Sequence, residues 1–157
     1  MSDITLTPGD PAPDFDLPRD GGGQVSLAGC AGKPVVLYFY PRADTSGCTK
    51  QAMAFTEHLP AFEAAGAVVL GVSKDKPAKL DTFRDKHGLG VVLLSDAESD
   101  VCERYGAWGE KQMYGKTFEG IVRSTFLIDG AGRIARVWPK VKVPGHADEV
   151  LEAVRAL

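Results

Sequence analysis

The sequence predicts an α/β fold, with a central mixed β-sheet flanked by helices and a small N-terminal β-hairpin in front of it. Two patterns carry that expectation. Through the middle of the chain, short apolar runs alternate with stretches whose apolar residues recur at helical spacing. After residue 120, two further runs meet at a tight turn before a last helical stretch. Alternating strands and helices place helices on the faces of a parallel sheet, and a hairpin adds antiparallel strands to it.

Taken in order, residues 1–33 are rich in Pro, Gly and Asp. Two alternating pieces, Phe15-Asp16-Leu17 and Gln24-Val25-Ser26-Leu27, flank Asp20-Gly21-Gly22-Gly23, which reads as a hairpin turn. Pro34-Val35-Val36-Leu37-Tyr38-Phe39-Tyr40 is apolar without interruption, as a strand buried on both faces should be. Ala52, Phe55, Leu59 and Phe62 then recur at helical spacing, and Pro60 is expected to kink or divide that helix because it has no N–H to donate. Residues 67–72 read as a strand, 78–87 as a helix, 91–94 as a strand and 99–105 as a short helix. Strands are expected at 121–128 and 133–138, joined at Asp129-Gly130-Ala131-Gly132, with a final helix near 147–156. No linker, repeat or low-complexity tract intervenes, so residues 1–157 are expected to form one domain.

Composition narrows the function classes. A chain of 157 residues with 44% hydrophobic and 25% charged residues resembles an average globular protein, and disorder or a coiled coil is excluded. The net charge of −3 and the scattered Lys and Arg residues give no footprint for nucleic acid or an anionic membrane surface. Met1-Ser2-Asp3-Ile4-Thr5 lacks a basic segment leading into an apolar core, and no apolar run approaches the ~20 residues of a membrane span, so a cytoplasmic location is expected. Cys30, Cys48 and Cys102 are odd in number and lack C-x-x-C spacing, which argues against a disulfide framework and a zinc knuckle.

The residues that carry chemistry cluster after the apolar run, in Tyr38-Phe39-Tyr40-Pro41-Arg42-Ala43-Asp44-Thr45-Ser46-Gly47-Cys48-Thr49. Cys48 falls where strand becomes helix. The N–H groups of a first helical turn have no intrahelical acceptor and carry the positive end of the helix dipole, which favours a thiolate nucleophile. Thr45 or Ser46 can cap the helix, and the Thr45 hydroxyl can instead bind an oxygen ligand. Pro41 ends the strand. Arg123, a permanent cation inside the apolar run 121–128, is either exposed on a strand face or turned toward Cys48, where it would stabilise charge developing on a substrate oxygen.

Other groups read as structural. His58, His87 and His146 lie on separate elements without ligand spacing and read as solvated or helix-capping, so no metal site is expected. Asp96, Glu98 and Asp100 read as a solvated turn with helix-capping acids. Gly32-Lys33-Pro34 has Pro where a phosphate loop needs a hydroxyl, and there is no G-x-S-x-G elbow.

Pro41, Thr45 and Cys48 in the spacing P-x-x-x-T-x-x-C, with Arg123 in Val122-Arg123-Ser124-Thr125-Phe126-Leu127-Ile128-Asp129, resemble the active site of a peroxiredoxin. Tyr38-Phe39-Tyr40-Pro41, Trp108-Gly109-Glu110-Lys111 and Met113-Tyr114-Gly115-Lys116 resemble the bacterioferritin comigratory protein, or peroxiredoxin Q, group. Similarity runs from about Pro11 to the end of the chain. The resemblance implies a thioredoxin-like fold and a cysteine peroxidase for hydrogen peroxide and organic hydroperoxides, with Cys48 as nucleophile and Thr45, Arg123 and Pro41 around it. It implies no metal, haem or flavin, and a monomer.

One departure bears on mechanism. Relatives carry a second, resolving cysteine five residues after the first or on the helix after the next strand; here Met53 and Asp81-Thr82-Phe83-Arg84-Asp85 stand at those places, and Ser46 replaces the usual proline. Cys30 precedes the strand leading to Cys48, whose residues at ~3.3 Å each set it roughly 20 Å away, beyond the about 7 Å between Cα atoms that a disulfide allows. Cys102 is expected near the same edge of the sheet as Cys48. The leading expectation is a one-cysteine peroxidase served by thioredoxin, glutaredoxin or a small thiol. A Cys48–Cys102 two-cysteine peroxidase and a non-catalytic, partner-binding thioredoxin-like module are the alternatives; Gln51 three residues after Cys48 argues against a C-x-x-C oxidoreductase.

Overall fold

The computed structural model describes residues 4–157, so Met1, Ser2 and Asp3 of the N-terminal segment lie outside the described residues. The expected hairpin is present as β1 (Asp16–Pro18) paired antiparallel with β2 (Gln24–Ser26). The central sheet contains β3 (Val35–Phe39), β4 (Val68–Ser73), β5 (Val92–Ser95), β8 (Ser124–Ile128) and β9 (Ile134–Trp138). Its order is β5-β4-β3-β8-β9. β3, β4 and β5 run parallel, while β8 lies antiparallel to both β3 and β9, which makes the sheet mixed as expected.

Side chains of β3 alternate between two cores, as the two-residue period of a strand requires. Val36 and Tyr38, with Tyr40 just beyond the strand, enter one core with α1 (Ser46–Ala64), α2 (Pro77–His87) and α4 (His146–Arg155). Val35, Leu37 and Phe39 enter the other, with the N-terminal hairpin and the short α3 (Val101–Arg104). On the first face Tyr38 stacks on Phe55 with ring centroids 4.7 Å apart. Phe55 and Phe62 are fully buried there, each contributing about 1.5–3 kcal/mol.

Three expectations change. Pro60 does not divide α1: it is exposed, where water can serve the carbonyl that loses its helical partner, while buried Phe55 and Phe62 on either side hold the helix to the sheet. The run 121–128 is not one strand. Val122 N–H donates to the Ala107 carbonyl (2.8 Å) and the Arg123 carbonyl accepts from Val141 N–H (3.0 Å), so the backbone leaves the ladder at these two residues. Before the break lies a hairpin the sequence reading lacked, β6 (Trp108–Met113) paired with β7 (Lys116–Ile121). Its middle is mostly polar, with Glu110, Gln112, Thr117 and Glu119 exposed and Phe118 exposed among them, so it shows no alternating apolar face. Its signal is the turn Tyr114-Gly115, both at positive φ (53° and 74°), the geometry a two-residue hairpin connection requires.

Candidate active site

Cys48 lies in the first turn of α1 with 1% of its surface exposed. Thr45 is the N-cap by backbone geometry, but no side chain caps the helix. The first turn closes with Thr49 N–H to the Thr45 carbonyl at 2.8 Å, leaving the Ser46, Gly47 and Cys48 amides without helical acceptors beside the sulfur. The Thr45 hydroxyl instead donates to the Arg42 carbonyl at 2.8 Å, so toward a ligand its oxygen can only accept.

The loop before the helix is tied down twice. Ala43 N–H donates to the Asp75 carboxylate (2.7 Å), itself held by the Ser73 hydroxyl (2.8 Å). Asp44 stands in the left-handed region (φ 62°), an uncommon place for a residue with a side chain. Its carboxylate bonds His87 (2.8 Å) and Lys86 (2.9 Å) at the end of α2, and the His87 bond, then that of Lys86, holds the carboxyl below its ordinary range. Pro41 follows Tyr40, whose N–H to the Val72 carbonyl (3.1 Å) extends the pairing of β3, and it begins this loop partly exposed.

Arg123 reaches Cys48 from the break between β7 and β8. Its Nη2 donates to Cys48 Sγ at 3.2 Å and its Nη1 to Gln51 Oε1 at 2.6 Å. A Cβ at position 47 would lie 3.2 Å from that Nη2, so Gly47 leaves room for the guanidinium. Sequence reasoning missed Gln51 as a site residue. It is 2% exposed, one helical turn beyond Cys48, and its Nε2 has no partner among the described residues. Its only sequence signal is a polar residue on the face of α1 that otherwise buries Cys48, Ala52 and Phe55. Tyr38 completes the wall: burial first, then the neighbouring Tyr40 and Cys48, pushes its phenol well up, so it stays neutral.

Cys30 and Cys102 do not join this group. All three thiols are free and buried, but Cys30 and Cys102 pack in the core on the far side of the sheet from Cys48. Of the acids expected in a solvated turn, Glu98 and Asp100 are exposed, but Asp96 is not. Asp96 is fully buried, accepts from the Val101 and Cys102 amides (3.1 and 2.8 Å) and pairs with Lys74 (3.1 Å), which also pairs with Glu103 (2.8 Å). Asp96, Cys102 and Glu103 bring ligand atoms within 4.8 Å of one another, and Lys74 supplies the positive charge both carboxylates need. Burial, then Asp96, pushes the Cys102 thiol far up. Nor is His146 solvated: it is buried against Phe55 and Trp138 and bonded to the Thr125 hydroxyl at 2.8 Å. His58 bonds the Ala54 carbonyl and Asp148, tying α1 to α4.

A buried sulfur at an uncapped helix start, held by a guanidinium, has the fixed positive surroundings that favour a thiolate. Known proteins carry the same arrangement of chain. The AhpC/TSA family profile matches residues 8–137, most of the length. The chain belongs to this family of peroxiredoxins. It is 54% identical over 141 residues to a Mycobacterium tuberculosis protein named as a peroxiredoxin, covering 90% of each chain. To Peroxiredoxin Bcp of Escherichia coli K12 it is 47% identical over 146 residues, covering 93% of this chain and 94% of the relative. A solved structure of the Xanthomonas campestris bacterioferritin comigratory protein superposes with a TM-score of 0.88 at 42% identity and covers 98% of both chains. The peroxiredoxin is thus a thiol peroxidase of the bacterioferritin comigratory protein group with the thioredoxin-like fold the resemblance implied. No helix among its described residues is long and apolar enough to cross a membrane.

Proposed function

We propose that this peroxiredoxin reduces hydrogen peroxide and organic hydroperoxides by a one-cysteine cycle centred on Cys48. The observation that carries the reading is the Arg123 to Cys48 contact at 3.2 Å beside the uncapped start of α1. The thiolate attacks one peroxide oxygen, the O–O bond breaks, and the departing oxygen takes a proton to leave as water or an alcohol, giving Cys48 sulfenic acid. Arg123 and the Cys48 N–H offset the charge arriving on the departing oxygen, and Thr45 accepts the peroxide O–H and so orients it. Pro41 shields the pocket from water. Alkyl peroxide reduction by the Xanthomonas campestris relative supports the organic substrates.

An external thiol then condenses with the sulfenic acid, releasing water and leaving a mixed disulfide, and a second thiol returns Cys48 to its reduced form. Thioredoxin, glutaredoxin or a small thiol fills this role. Support comes from the placement of Cys30 and Cys102 behind the sheet, and from burial, which raises both thiols and so disfavours attacking thiolates. Since one chain supplies every group named, residues 1–157 act as a single-domain monomer, and three free thiols suit the reducing cytoplasm.

Intact-mass analysis after one equivalent of peroxide, with dimedone present, tests this. A single dimedone adduct at Cys48 is expected, and turnover with thioredoxin, glutaredoxin plus glutathione, or dithiothreitol identifies the reductant. A Cys48–Cys102 or intermolecular disulfide would overturn the one-cysteine cycle. Absence of peroxide consumption with every thiol would favour the partner-binding module.

A further inference from the structure

We propose that Lys111, on β6, is a positioning residue of this reaction: it pins the backbone from which Arg123 is aimed and sets a second positive charge behind the guanidinium at Cys48. The inference deepens the peroxidase reading above and rests on it. Lys111 Nζ donates to the Ile121 carbonyl at 2.7 Å. Ile121 is the last residue of β7, and the two residues after it, Val122 and Arg123, form the break that turns the guanidinium toward the sulfur. The break is held at three further points, Val122 N–H to Ala107, Ser124 hydroxyl to the Val122 carbonyl and Val141 N–H to Arg123, so Lys111 is the side chain that fixes its upstream end. Its stem runs over Gly120, where an added Cβ would touch Lys111 Cδ at 3.4 Å.

The ammonium is only partly exposed and shares its surroundings with the reacting groups. Burial, then the Arg123 cation, draws its pKa below the ordinary lysine value, and Cys48 acts in the opposite sense. A cation fixed at the Ile121 carbonyl, two residues before Arg123, adds to the guanidinium's field, which favours the thiolate and the anionic transition state alike. Among the described residues, the titratable groups around the Cys48 and Arg123 pair include Lys111 from β6, the Tyr38 phenol from β3, the Tyr40 phenol just after β3 and His146 from α4. Among these, Lys111 is the lysine.

The test compares Lys111→Met, which keeps the stem and removes the charge, with Lys111→Arg, which keeps both donor and charge. For each, the rate of Cys48 alkylation by iodoacetamide is followed against pH, and kcat/KM is measured for hydrogen peroxide. In Lys111→Met the inflection of the alkylation profile is expected to move up by about 0.5–1 unit, the size of one screened charge at this range, with a threefold to tenfold loss of kcat/KM. Lys111→Arg is expected to restore most of both. Lys111→Gln carries the same comparison should Lys111→Met not fold. An unchanged alkylation profile in the uncharged variants, or Lys111→Arg behaving like them, would overturn the proposal. The alkylation arm is read even if the wild-type protein consumes no peroxide, so a failure of the peroxidase reading is distinguishable from a failure of this one.

Discussion

Cys48 and Cys102 are the same residue type, both buried, and both in the first turn of a helix, yet their surroundings are opposite in sign. At Cys48 the helix start is uncapped and Arg123 donates to the sulfur. At Cys102 the Asp96 carboxylate accepts the Val101 and Cys102 amides, so the N–H groups that would favour a thiolate are already committed to an anion. That anion also faces the thiol and, with burial, pushes it far up. Burial and a helix start therefore do not distinguish the two thiols; the first-turn amides and the nearest charge do, and only at Cys48 are both left to the sulfur.

The largest effect that bears on this contrast is expected from loss of the Cys48 thiol, the nucleophile of the proposed cycle. Cys48→Ser is expected to reduce peroxide consumption to background, whereas Cys102→Ser keeps it; a stopped-flow peroxide assay on the two variants decides, and the reverse pattern would dissolve the contrast. Next comes the cation. Arg123→Met is expected to lower kcat/KM by about 10²–10³-fold, the range seen when one preorganised donor to a developing oxyanion is removed. A loss below tenfold would mean that the helix start alone supplies the field.

A third effect concerns pH and the Cys48 side of the sheet, where His146 is buried. Burial, and after it the Arg123 and Arg136 cations against the opposing Glu149, pushes its pKa down to about 4. The unfolded chain, with an ordinary value near 6.5, then binds more protons than the native one between these limits. Stability linked to His146 is thus full above about pH 6.5, falls as pH drops, and levels off below about 4, a change of up to about 3 kcal/mol. Urea unfolding at pH 7 and pH 4.5 is expected to show this slope in the wild type and a flatter one in His146→Gln.

The smallest effect is on the other side. Asp96→Asn keeps the shape of the cap and removes the charge that Lys74 needs, so a loss of about 1–3 kcal/mol is expected in thermal or urea unfolding. In a Cys48→Ser background the same change should bring the Cys102 thiolate absorbance to lower pH. An unmoved titration would show that burial alone, and not the carboxylate, sets Cys102 apart.

Much of this contrast was legible from the chain and part of it was not. The P-x-x-x-T-x-x-C spacing and the position after an apolar run marked Cys48 and its loop, because those features are local. Gln51 carried no comparable mark: its Oε1 matters only because Arg123 arrives opposite it, from a residue 72 positions away. Asp96 alone of its turn departs from the solvated reading, since whether a carboxylate caps a helix from water or from the core depends on what packs over it. The sequence pattern puts Arg123 inside a continuous strand, and hydrogen bonds from Val122 N–H to the Ala107 carbonyl and from Val141 N–H to the Arg123 carbonyl are what break that strand and free the side chain.

By itself the sequence determined that β3 is buried on both faces and that a cysteine opens the following helix. It could not determine which face each neighbour covers. An apolar run without alternation has no polar side to point outward, so nothing local says whether Tyr38 or Phe39 meets α1. Tertiary packing made that choice, putting Cys48 with Tyr38 and Arg123 on one side and Cys30 and Cys102 with Phe39 on the other. The physical reason is that a sheet two cores thick separates its sulfurs by side, and side is a property of the assembled layers rather than of any segment.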